Sequence, residues 1–141
     1  MRNYYVFDFK EEYFNLYHQY PSSLYNILNS LYTLNPQNSC YGFTMFSQLV
    51  EKIEKEELDR KIYIKYHNEI SYTKQKNEHI INNLYHDEIS VLTVKNSYIL
   101  ITTNQNTSSF FKILSNYSKN YFACDFINHD YFWINDIKAL V

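Results

Sequence analysis

The side chains of this chain best suited to acid–base or metal chemistry are five histidines: His18, His67, His79, His86 and His129. Zinc sites need ligands at short recurrent spacings, such as HExxH or paired Cys-x-x-Cys, and neither occurs. His79 and His86 would share a face if their segment were helical. They are the pair through which a small hydrolase-type enzyme would work. His86-Asp87 and His129-Asp130 are two His-Asp dipeptides. Metal-dependent phosphohydrolases hold such a pair inside an all-helical fold, whereas here the second pair lies between strand-like segments. Turn chemistry is the favoured reading of both. No metal site and no cofactor are expected.

The other chemically capable groups point the same way. Cys124 alternates with Phe122 and Phe126, so all three face one side of a strand and the thiol is expected to be buried and inert. A nucleophilic cysteine needs a base and an electropositive setting. Cys40 is expected in a loop beside Tyr41, and two cysteines make no disulfide framework. The aromatic strand Tyr121–Phe126 could stack nucleic-acid bases, but it carries Asp125 and lacks flanking basic residues and glycine, so a core strand is favoured. Gly42 is the single glycine. Phosphate-cradling loops and nucleophile elbows need several, which removes the commonest nucleotide-binding and hydrolase motifs.

These residues must be positioned by a chain of 141 residues, 45% hydrophobic and 20% charged, which is one ordinary globular domain spanning 1–141. The formal net charge is −2, and neither half of the chain is basic, so direct nucleic-acid binding is not expected. No apolar run approaches the ~18 residues of a membrane span. Arg2-Asn3 leads straight into Tyr4-Tyr5-Val6-Phe7-Asp8 with no leader pattern. A cytoplasmic location is expected.

Along the chain, residues 3–9 read as an interior strand, apolar on both faces. Lys10-Glu11-Glu12 opens a helix to about Gln19, with its acidic pair at the positive helix end. Ser22 or Ser23 caps a second helix carrying Leu24, Ile27, Leu28 and Leu31, which Asn35-Pro36-Gln37-Asn38 ends. Thr44 caps a third helix with Phe46, Leu49, Val50 and Ile53 as its stripe, followed by a solvated mixed-charge run from Glu54 to Lys61. Residues 61–66 and 70–74 read as strands and 78–86 as a short helix. Ile89–Val94 and Tyr98–Thr103 form a hairpin around Lys95-Asn96-Ser97. Asn106 or Thr107 caps a last helix with Phe110, Phe111, Leu114 and Tyr117. Strands at 121–126 and 131–134 follow. Phe110, Leu114, Phe122, Phe126 and Trp133 are expected to form one core. The fold class is α+β: a two-layer sandwich of helices on a mixed or antiparallel sheet of about five strands.

The first helix carries more than a core stripe. Tyr13, Leu16, Tyr17 and Tyr20 fall on one side with Phe14 at the edge, an apolar arc about 160° wide against the ~100° that core packing uses. Either all are core, or the edge formed by Tyr13 and Tyr17 stays exposed as a pair of interface anchors.

Two regions resemble the sporulation inhibitor of replication family, SirA. Tyr4-Tyr5 followed by Lys10-Glu11-Glu12-Tyr13 matches that family's opening strand and helix. Phe110-Phe111, Leu114, Phe122, Ala123, Asp125-Phe126, Tyr131, Trp133, Asn135 and Lys138 match its paired-Phe helix, its strand ending in Asp-Phe and its Tyr-x-Trp-x-Asn tail. The resemblance implies a non-enzymatic regulator that binds the N-terminal domain of the replication initiator DnaA and blocks initiation as the cell commits to sporulation. It places the partner contacts on Tyr13, Tyr17 and, on the third helix, Gln48; Phe14, at the edge of the helical arc, is expected to contribute beside them. Tyr13 departs from the family, where Phe is usual.

Overall fold

The computed structural model describes residues 1–33 and 39–138, with side chains for all of these except 39–43 and 138. The segment Asn35-Pro36-Gln37-Asn38 and the side chain of Cys40 lie outside the described residues. The elements are β1 (Arg2–Asp8), α1 (Glu11–Tyr17), α2 (Pro21–Tyr32), α3 (Ser39–Leu49), α4 (Lys55–Tyr66), β2 (Tyr72–Gln75), β3 (Glu78–Asn83), β4 (Glu88–Val94), β5 (Ile99–Thr103), α5 (Phe110–Leu114), β6 (Tyr121–Asp125), β7 (Asp130–Trp133) and α6 (Ile134–Lys138).

Alternation sends Tyr4 and Val6 of β1 to one side of the sheet and Tyr5 and Phe7 to the other, and a strand apolar on both faces belongs in a sheet interior. β1 lies between β5 and β6, antiparallel to both, with Tyr4 opposite Ile101 and Phe7 opposite Phe122. The sheet order is β2-β3-β4-β5-β1-β6-β7, every pair antiparallel. The described residues thus form an α+β fold with seven strands rather than about five.

Helices cover both faces of the centre of this sheet, so the two-layer expectation becomes three layers there. The expected single core divides accordingly. Phe110 and Leu114 join Tyr4, Val6, Ile62 and Ile101 beneath α4 and α5. Phe122, Phe126 and Trp133 join Phe7, Phe9 and Leu24 beneath α1 to α3. The physical reason is the period of two: Phe122 and Ala123 are neighbours in β6 but point to opposite sides of the sheet.

Four local expectations are corrected. Residues 61–66 are helical, because Leu58, Ile62 and Tyr66 stack at four-residue spacing onto the sheet. The preceding charged run feeds that helix with i,i+4 pairs, Lys55–Asp59 at 2.8 Å and Glu57–Lys61 at 3.3 Å. Residues 78–83 are a strand, since the two-residue turn Lys76-Asn77 folds β3 back on β2, with Gln75 opposite Glu78. Packing and pairing override local preference at both sites. Helix starts also move. Pro21 occupies the first turn of α2 and Tyr20 is its N-cap, with no side-chain cap from a serine, as suits proline's fixed φ. α3 begins at Ser39 rather than at Thr44, so the backbone at Cys40 is helical.

Buried polar groups tie the layers together. Glu88, 4% exposed, accepts from Ser90 Oγ (2.5 Å), Ser108 Oγ (3.3 Å), the Ser109 amide (2.9 Å) and Ser109 Oγ, joining β4 to the start of α5. Arg2 donates from Nε to Asp125 and from Nη2 to Asp130, each at 2.9 Å, clamping β1 to the β6–β7 hairpin. Burial alone would raise the Asp125 pKa, but hydrogen bonds from Asn128 and Arg2 outweigh it and hold the carboxyl below its ordinary value.

Candidate protein-interaction site

The junction between β1 and α1 is pinned to the end of α3 by backbone hydrogen bonds. The Lys10 amide donates to the Leu49 carbonyl (3.0 Å) and the Glu51 amide to the Asp8 carbonyl (2.7 Å), while Phe9 and Val50 form an isolated antiparallel bridge. These bonds bring the last turn of α3, where Gln48 stands exposed, against the first turn of α1.

α1 has seven residues, no fully buried one and no side-chain cap, so it is too short to persist by propensity. Glu11 and Glu12 complement its positive end. Glu11 accepts from Lys119 Nζ (2.9 Å) and Asn120 Nδ2 (3.1 Å), and these bonds hold its carboxyl below the ordinary value. Phe14 is the main anchor. Its ring meets Trp133 edge-on (centroids 5.0 Å apart, 81° between planes) and packs on His18 at 4.7 Å, with the Lys119 ammonium 5.3 Å from its centroid. His18 Nε2 also lies 3.3 Å from Asp136 of α6.

Because Phe14 sets the inward direction, Tyr13 and Tyr17 come out half-buried, between the two readings their spacing allowed. The strongly exposed apolar groups are Leu16 (58%) and Tyr20 (61%). Leu16 lies about 160° round the helix from Phe14. Sequence periodicity placed both on the apolar arc, but the edge that faces outward is set by Trp133, far away in the chain. The result is a strip of Tyr13, Leu16, Tyr17 and Tyr20 with Gln48 beside its start and Phe14 beneath it.

The chemically reactive candidates go elsewhere. His79 faces inward from β3 and is fully buried, so no substrate reaches it. Its Nδ1 lies 2.7 Å from the Tyr72 hydroxyl and its Nε2 2.7 Å from Asp59 Oδ1. A neutral ring protonated on Nε2 satisfies both partners. His86 is exposed in the turn after β3, so the two do not share a helix face and form no joint site. His86-Asp87 lies in a turn and His129 ends one, with Asp130 opening β7; φ is 51° at Asp87 and 56° at His129. β6 is buried along its whole length and offers no ring to a base. Burial pushes the Cys124 thiol well up from its ordinary value, away from nucleophilic use. Among the described residues, no group of three or more His, Cys, Asp or Glu is placed to hold a metal ion, and no helix is long and apolar enough to cross a membrane.

The buried His79 carries a pH signature. Burial lowers its pKa from the ordinary value, with the Asp59 hydrogen bond opposing. The fold therefore favours the neutral ring. Its stabilising contribution is complete above the unfolded value of about 6.5 and is lost as pH falls through the folded value. Between about pH 7.5 and 5.5 the wild-type melting temperature is expected to drop further than that of His79→Gln, which keeps hydrogen-bonding capacity without titrating. Equal drops would show that His79 does not titrate in this window.

Exposed Leu16 and Tyr20 beside half-buried Tyr13 and Tyr17 can bury apolar and aromatic area at an interface and offer hydroxyl hydrogen bonds. No curated protein matches the chain significantly. The sequence model of the sporulation inhibitor of replication protein SirA matches residues 2–138, nearly the whole chain. That coverage takes in the Tyr4-Tyr5 strand, the tyrosines of α1 and the β6–β7 tail alike, and the chain belongs to the SirA family of sporulation inhibitors of replication.

Proposed function

We propose that this protein inhibits replication by binding the N-terminal domain of the initiator DnaA through the α1 strip, and that it acts in the cytoplasm as a non-enzymatic regulator. Tyr13 and Tyr17 are the anchors, Gln48 adds a polar contact, and Phe14 holds the helix in place. One observation carries this reading most directly. α1 is packed on Trp133 through Phe14 and tied to α3 at its start, yet Leu16 and the nearby Tyr20 are turned outward beside the half-buried Tyr13 and Tyr17. A rigid aromatic edge loses little conformational entropy on binding.

The test is a titration of the purified protein with the DnaA N-terminal domain, followed by calorimetry and by fluorescence of Trp133, the single tryptophan. Its ring lies 5.0 Å from that of Phe14, so docking on α1 is expected to change its emission. A saturable one-to-one complex is the expected result. Neither heat nor a fluorescence change at about 100 μM of each component would overturn the proposal.

A further inference from the structure

All 13 basic and 15 acidic residues of the chain lie outside the stretch Tyr13–Val50, whose only titratable nitrogen side chain is His18. A stretch of that length would carry about eight charges at the chain's overall density of 20%. This stretch contributes α1 from Tyr13 onward, α2 and α3, the three helices on one face of the sheet. Its described exposed positions include Ser22, Ser23, Asn26, Ser30, Thr44, Ser47 and Gln48, with Leu16 (58%), Tyr20 (61%), Tyr32 (53%) and Met45 (37%) as the large apolar groups. The charges stop at the border. Glu11 and Glu12 stand at the start of α1, Glu51 and Lys52 follow the end of α3, and Lys119 and Asp136 reach the edge of α1 at Phe14 and His18.

Ordinary soluble surfaces carry roughly a quarter to a third charged residues with both signs interspersed. Interface cores are depleted of charge and enriched in aromatics and Met, with a polar rim. A neutral centre bordered by charges matches the second description. We infer that the three-helix face docks a protein surface that is itself uncharged at its centre, and that the contact extends from the α1 strip over α2 and α3. This rests on the proposed reading that the partner is the initiator's N-terminal domain, and it adds the chemistry of the partner's patch. A charged patch on the partner would be desolvated against a face whose centre offers no counter-charge, which costs binding energy. Recognition then owes little to electrostatic steering, so salt has little to screen.

The experiment titrates the DnaA N-terminal domain with wild-type protein and with Leu16→Lys and Leu16→Glu, at 50 and 500 mM NaCl, with melting curves confirming that the variants fold. The expected result is a wild-type affinity that changes less than about threefold between the two salt concentrations. Both Leu16 variants are expected to weaken binding by tenfold or more, whichever sign is introduced. A salt effect above about tenfold, or one charge sign strengthening binding while the other weakens it, would overturn the inference and leave the partner assignment standing. No complex with wild-type protein would overturn both. Self-association of the wild type in sedimentation, abolished by Leu16→Glu, would also overturn the inference by giving the face to a second copy of the chain.

Discussion

Phe122→Ala is expected to lower folding stability by about 3–5 kcal/mol, measured by urea unfolding. Phe122 is fully buried in β6, next to the interior strand β1 and paired with its Phe7. Its ring lies 4.8 Å from that of Trp133 and 6.1 Å from that of Phe9. Truncation therefore leaves a cavity lined by large rigid rings, which collapse poorly, and the cost belongs at the upper end of the range for large-to-small changes. Because α1 rests on Trp133 through Phe14, the same substitution is expected to loosen the interaction strip. Phe110→Ala, on the opposite face of the sheet, is expected to cost a similar amount without disturbing α1. A loss below about 1 kcal/mol at Phe122 would mean that β6 does not carry this core.

Tyr13→Ala and Tyr17→Ala are each expected to weaken binding to the initiator domain by about 30-fold, roughly 2 kcal/mol, the size typical of aromatic interface anchors. Both residues are half-buried against the core, so a loss of a few degrees in melting temperature accompanies the loss of affinity. Phe14→Ala separates anchoring from contact. Its ring touches Trp133 and His18, so its main effect is expected on stability, with affinity falling because the helix is no longer held. Tyrosine variants that bind as tightly as wild type would remove these residues from the interface. Variants that melt as early as Phe14→Ala would reassign them to the core.

The order of tertiary influence is clearest where expectations failed. Ile62 and Ile64 alternate as they would in a strand, but Ile62 is buried while Ile64 is 60% exposed, in a helix docked on the sheet. Within 78–86, Ile80, Ile81, Leu84 and Tyr85 have helical spacing, yet residues 78–83 pair along their length with β4, Ile81 opposite Ser90. Short segments of this kind have no strong local preference, so the partner that buries them decides.

Elsewhere local information was sufficient. The two-sided apolar pattern of β1, the hairpin β4–β5 and the inward row Phe122-Cys124-Phe126 were all legible from alternation, because a period of two assigns faces without any knowledge of the neighbour. The width of the apolar arc on α1 was legible too, as was the family resemblance at both ends of the chain. What a helical wheel cannot give is its own rotation. How far Tyr13 and Tyr17 turn inward while Leu16 and Tyr20 stay exposed depends on a ring more than a hundred residues away, Trp133, against which Phe14 packs. The place of Gln48 beside α1 likewise depends on a hydrogen bond between the Lys10 amide and the Leu49 carbonyl. Periodicity determined which residues could share a face; only contacts distant in sequence, formed on folding, decided which face meets solvent, because burial is a property of the partner surface and not of the segment.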